Sequence, residues 1–98
     1  MIDEQLSAFL KALASETRQQ ILFQFVDGRP RTVSEVAQAA GLVISTVSEH
    51  LSQMRRAGIV QATREGKEVY YCPDAARIRH ALAQLTQLLD RFCASVAG

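Results

Sequence analysis

Between positions 45 and 53 the chain carries Ser45, Thr46, Ser48, Glu49, His50, Ser52 and Gln53, interleaved with Val47 and Leu51 and followed by Met54. Val47, Leu51 and Met54 stand at helical spacing, so a helix here turns those three inward and leaves hydroxyls, an imidazole, a carboxylate and an amide outward. Short polar groups in that arrangement can approach the base edges or phosphates of a nucleic-acid duplex. Arg55 and Arg56 close the same stretch, where they could reach phosphate or pair with the helix's own last carbonyls. Arg64 and Lys67 sit beside a polar turn and could neutralise further phosphates, releasing counterions. The competing readings are an ordinary amphipathic surface helix, since Ser and Thr also gather at helix starts as caps, and a solvated turn, which Glu65 and Glu68 favour.

The other candidate reactive groups are two thiols. Cys72 and Cys93 lie far apart without CxxC spacing, which indicates neither a zinc ribbon nor a disulfide scaffold. One use for them is as a dithiol sensor of oxidants, reactive sulfur or arsenite, assembled across a dimer; the other is simple packing as small hydrophobes. His80 has Ala83 and Gln84 at i+3 and i+4 and reads as a polar or interface histidine, not a metal ligand. No Ser-His-Asp set, carboxylate pair or phosphate loop is present, so neither an enzyme nor a bound cofactor is expected.

The elements that must position these groups follow from periodicity and punctuation. Leu6, Phe9, Leu10 and Leu13 form a helical stripe behind Asp3 and Glu4, and Ile21, Leu22, Phe25 and Val26 form a second, ended by Asp27-Gly28-Arg29-Pro30. Thr32-Val33-Ser34-Glu35 has the form of a capping box opening a third helix through Val36, Ala37 and Ala40 to Gly41. The short Gly41-Leu42-Val43 connection leads into the fourth helix, near residues 44 to 57, with Gly58 placed as its cap. Ile59 to Thr63, a turn over Arg64 to Lys67, and Glu68 to Cys72 read as a β-hairpin. Pro73-Asp74 caps a last helix whose Ile78, Leu82, Leu85, Leu89, Phe92 and Val96 alternate steps of four and three, a heptad-like seam. The order ααααββα is mostly α with one small hairpin, an α+β arrangement.

A length of 98 residues suits one domain, taken as residues 1–98, and the formal charge of +1 means that any nucleic-acid contact must come from a local basic patch. The start lacks the basic and apolar regions of a secretory signal, and no apolar run nears the roughly 18 residues of a membrane span, so a cytoplasmic protein without a membrane partner is expected.

Several ordered segments closely resemble the ArsR/SmtB family of winged helix-turn-helix repressors: Ala14-Ser15-Glu16-Thr17-Arg18-Gln19-Gln20-Ile21-Leu22, Val33-Ser34-Glu35-Val36-Ala37, Thr46-Val47-Ser48-Glu49-His50-Leu51, Arg55-Arg56-Ala57-Gly58-Ile59-Val60 and Gly66-Lys67-Glu68-Val69-Tyr70-Tyr71. The resemblance spans about residues 6 to 96. It implies a homodimeric repressor of double-stranded operator DNA, released by an inducer that the sequence does not name. It also implies dimerisation through the first and last helices, with Leu6, Phe9, Leu10, Leu13, Ile78, Leu82, Leu85, Leu89 and Phe92 as interface candidates. On this reading Ser45, Thr46, Ser48, Glu49, His50, Gln53, Arg55, Arg64 and Lys67 are the DNA-contact candidates. Val43-Ile44 departs from the family's usual polar Ser-Gln pair, which leaves Ser45 as a possible substitute cap. The family's metal positions are mostly empty: helix three has no cysteine, and on the last helix Asp74 is present while Ala76 and Gln87 replace the imidazoles and only Asp90 could add a carboxylate. No metal is expected. The alternative from another class is a protein-interaction module on the same scaffold that does not touch DNA, in whose favour stand Glu49 and the modest charge.

Overall fold

Side-chain caps start four of the five helices. The computed structural model describes residues 2–97, with side chains described as far as 93. In α1 (Glu4–Leu13) Asp3 Oδ1 accepts the Leu6 N–H at 2.7 Å, and in α2 (Glu16–Phe23) Ser15 Oγ accepts the Arg18 N–H at 3.3 Å. The capping box at α3 (Val33–Ala40) is complete: the Glu35 N–H donates to Thr32 Oγ1 at 3.2 Å and the Thr32 N–H to Glu35 Oε1 at 2.9 Å. The Thr32 amide, with its hydroxyl, holds the Glu35 carboxyl below the ordinary carboxylate range. A lowered folded-state value means that the bond's contribution is present above the ordinary range and lost as pH falls through the lowered value. Asp74 Oδ1 accepts the Arg77 N–H at 3.2 Å and opens α5 (Ala75–Ala97).

The stripe predicted over Ile21, Leu22, Phe25 and Val26 does not stay in one helix. Past Phe23 the bonds shorten to i→i+3, with Phe25 N–H to Leu22 O at 3.0 Å and Val26 N–H to Phe23 O at 3.2 Å. That tighter winding carries Phe25 into the core and turns Val26 outward, 82% exposed.

Glycine closes α3 and α4. At Gly41 (φ 68°) the chain reverses, with Leu42 N–H donating to Ala37 O at 2.9 Å. Past the end of α4 (Ile44–Arg56), Gly58 (φ 82°) donates to Arg55 O at 3.2 Å and Ile59 to Met54 O at 2.9 Å, the paired bonds of a Schellman ending. Ala57 stands between, so Gly58 follows the cap instead of being it.

Strands β1 (Val60–Glu65) and β2 (Glu68–Pro73) pair antiparallel from Val60↔Pro73 to Glu65↔Glu68. The loop is therefore only Gly66-Lys67; Arg64, placed in the turn by sequence, lies in the ladder opposite Val69. A feature unforeseen in sequence ties the hairpin down. Arg31 and Tyr71 exchange backbone bonds of 2.9 and 2.8 Å, adding a one-residue third rung from the α2–α3 loop, while Arg31 also pairs with Asp27 at 2.8 Å.

Leu6 and Phe9 of α1, Ile21 of α2, Val36 of α3, Val47, Leu51 and Met54 of α4, and Ile59 and Val60 at the hairpin base fill one apolar core. Ala81 is the last buried position along α5 among the described residues, and beyond it the helix extends a particle measuring 53 × 25 × 25 Å. Leu82, Leu89 and Phe92 are 47%, 58% and 72% exposed there; the Val96 side chain lies outside the described residues. Among the described residues no helix is long and apolar enough to cross a membrane.

A Cβ at Gly58 would meet the Arg77 guanidinium at 3.1 Å, whereas at Gly41 nothing lies within 4 Å. Gly58→Ala is expected to lower stability by about 1–3 kcal/mol through the left-handed backbone alone and by more than Gly41→Ala, as read by urea unfolding; equal losses would show that the Arg77 contact costs nothing.

Candidate nucleic-acid interface

Helix α4 divides sharply into two faces. Val47, Leu51 and Met54 are fully buried, while Ser45, Thr46, Ser48 and Glu49 are exposed on the opposite side. The burial holds the helix in one rotational setting, so the outward set cannot turn away without exposing the inward one. Val43 stands at the N-cap and supplies no side-chain hydrogen bond, and Ser45 does not take over the role that its position suggested. The first-turn amides, at the positive end of the helix dipole, therefore have no side-chain cap.

His50 and Gln53 sit apart from that exposed group. Both are half-buried, and Arg18 reaches across from α2 to bind them: its Nε–H donates to His50 Nδ1 at 3.2 Å and its Nη2 donates to Gln53 Oε1. An Nδ1 that accepts leaves the imidazole proton on Nε2. Arg18 is the functional candidate that sequence reasoning missed. Its partners lie 32 and 35 residues away, beyond any periodic signal, and nothing in Arg18-Gln19-Gln20 sets the arginine apart.

Ser52 is half-buried, and Arg55 and Arg56 are exposed in the last turn. On the hairpin, Arg64 and Lys67 are exposed, and the Arg64 Nε–H donates to Gly66 O at 3.3 Å, folding the side chain along the tip. Glu65 and Glu68, directly opposite one another and exposed, offset part of that positive charge.

The apolar residues expected at a two-fold interface separate into two groups. Leu6 and Phe9, each 2% exposed, are core residues of the single chain and must be removed from the interface set; the same stripe serves both purposes in sequence, and the α1 packing decides. Leu10, Leu13, Ile78 and Leu85 are half-buried, and Leu82, Leu89 and Phe92 are open.

Cys72 is half-buried on β2 opposite Gln61, and Cys93 is exposed on α5. Eighteen helical steps from Ala75 to Cys93 span about 27 Å at about 1.5 Å each, and the three residues back to Cys72 recover at most about 11 Å. A disulfide tolerates a Cα separation of no more than about 7 Å, so the two thiols of one chain cannot meet. His80 is exposed on α5, and among the described residues no group of three or more His, Cys, Asp or Glu side chains is placed to hold a metal ion.

The comparison with known proteins agrees with this architecture. A family model described as bacterial regulatory protein, arsR family, matches residues 15–62. The HTH-type transcriptional regulator CmtR of Mycobacterium bovis is 37% identical over 89 residues, covering 91% of this chain and 75% of that protein. An ArsR-like transcriptional regulator from Rhodococcus sp. RHA1 superposes with a TM-score of 0.85 at 22% identity, over 95% of this chain and 87% of the other, which establishes the fold. A homodimeric winged helix-turn-helix DNA-binding domain from Mycobacterium bovis, a possible ArsR-family transcriptional regulator, superposes with a TM-score of 0.71 at 30% identity, over 89% of this chain and 81% of the other.

The thiol geometry makes a direct prediction. After treatment with diamide, any Cys72–Cys93 disulfide should be found by peptide mapping only in the covalent dimer band of a non-reducing gel and never in the monomer band. A monomeric species with the two cysteines cross-linked would contradict the length of α5.

Proposed function

The chain belongs to the ArsR family of bacterial regulatory proteins, and from that membership we propose that it acts as a homodimer laying the outward face of α4 into the major groove of double-stranded operator DNA. The observation that carries this reading is the division of α4, with three side chains fully buried and Ser45, Thr46, Ser48 and Glu49 presented together on the other side. On this reading those four residues, with the remaining polar atoms of His50 and Gln53, approach base edges and nearby phosphates. Arg55 at the end of α4 and Arg64 and Lys67 on the hairpin take phosphates, the hairpin lying along the backbone as a wing.

A two-fold axis supplies the second reading head. The exposed Leu82, Leu89 and Phe92, continued by half-buried Leu85, Ile78, Leu10 and Leu13, form the surface through which α5 and α1 pair with a second copy. Pairing must set the two α4 helices about 34–36 Å apart to enter consecutive major grooves on one side of the duplex. The regulatory output is repression by occlusion of promoter DNA, in the cytoplasm, by a single domain over residues 1–98 that needs neither cofactor nor catalytic site. Release by a thiol-reactive inducer, whether oxidant, reactive sulfur or arsenite, would act through Cys93, which is open to solvent, and Cys72, whose pairing requires the second copy.

A protein-interaction module that leaves DNA untouched is the second reading, and the exposed Glu49 in the middle of the α4 face and the net charge of +1 favour it. A gel-shift series with duplex from the chain's own upstream region separates the two. Binding should fall steeply with salt, and Arg64→Ala should reduce the slope of log affinity against log salt by about one. No binding at low salt would select the protein-interaction reading, and binding without salt dependence would remove the phosphate assignments.

A further inference from the structure

We propose that Arg18 determines base preference at a distance, by making Gln53 and His50 present hydrogen-bond donors alone to the groove. The inference rests on α4 being the DNA-facing helix. A guanidinium has five N–H donors and no acceptor, so whatever atoms face it must be acceptors. Gln53 Oε1 and His50 Nδ1 are those atoms. Once they are engaged, the polar groups left on the two side chains are the Gln53 Nε2 amide and the His50 Nε2–H, and both donate.

The constraint is held from behind. Arg18 lies in the first turn of α2, its own amide fixed by Ser15 Oγ, and α2 is seated in the core through fully buried Ile21. Among the described residues the guanidinium makes no ion pair, so no carboxylate competes for it. Gln53 and His50 are three residues apart on α4 and share a face, so one arginine orders both.

The consequence concerns which base edge the helix accepts. An unconstrained glutamine reads adenine with two bonds, accepting from N6 and donating to N7. With Oε1 drawn toward α2, the bond from adenine N6 is lost. Guanine offers N7 and O6, two acceptors, and keeps its full complement of bonds to a donor-only edge. Arg18 is thus a positioning residue that biases the position read by Gln53 toward guanine over adenine, without itself touching DNA.

Selection from a pool of random-sequence duplexes tests this with four proteins. The wild type should enrich one guanine per half-site over adenine by roughly tenfold, the size of one good base contact, and Gln53→Ala should erase that preference. Arg18→Ala should shift the same position toward adenine by a similar factor, whereas Arg18→Lys, whose ammonium also only donates, should retain guanine. Uniformly weaker binding by Arg18→Ala with unchanged base preference would reduce Arg18 to a structural brace and overturn the proposal. A wild type that binds duplexes yet shows adenine at this position, or enriches no sequence, overturns it too, while a wild type that retains no duplex even at low salt overturns the DNA-binding reading beneath it. Should Arg18→Ala fail to fold, nitrogen NMR of His50 in the wild type decides: an unprotonated Nδ1 supports the arrangement, and a protonated Nδ1 with a bare Nε2 refutes it.

Discussion

The burial of Val47, Leu51 and Met54 is the constraint on which the rest of the structure depends. Each is removed from water, and burying a side chain of that size contributes about 1.5–3 kcal/mol. Together these residues fix α4 about its own axis. The other local devices serve the same placement. The Thr32–Glu35 box and Gly41 set where α3 begins and ends, the short Leu42-Val43 link leaves α4 little choice of angle, and the paired hydrogen bonds from Gly58 and Ile59 back to α4 deliver the chain into β1. The outward face of α4 is thus a product of core packing, and its chemistry can vary without disturbing the fold.

Features encoded within a few residues were legible in the sequence. The capping box, the glycine turns, the hairpin and the heptad seam all depend on neighbours three or four positions away or on the left-handed conformation that glycine adopts readily. What could not be read involves distant partners. The Arg18 bonds to His50 and Gln53, and the Arg31–Tyr71 bridge that anchors the hairpin, join segments dozens of residues apart. Periodicity also fails to say what an apolar stripe packs against: Leu6 and Phe9 proved to be core while Phe92 stays open, and Val26 turned outward once the end of α2 tightened. At Val43 the sequence showed that a polar cap was missing, and only the folded structure shows that Ser45 does not replace it.

Electrostatics here is a matter of placement, not of total charge. With a net charge of +1 the molecule has little long-range field. The exposed cations at Arg55, Arg56, Arg64 and Lys67 belong to α4 and the hairpin that follows it, while Glu65 and Glu68 temper the tip. A surface of this kind grips weakly except where shape and hydrogen bonding also match, which is the requirement that the proposed choice among duplex sites would impose. The long α5 is apolar on its open side and reaches well past the core; on the proposed reading a second copy covers that side, and two weak grips held in register become one strong one.

The most direct test of the central claim is a titration of the amide NMR spectrum of the protein with a short duplex from the pool it retains. Shifts confined to the amides of α4 from Ser45 to Arg55, Gln53 and His50 among them, and to the hairpin around Arg64 and Lys67, with α5 undisturbed, are the predicted result. Shifts centred on α5, with α4 silent, would contradict the account.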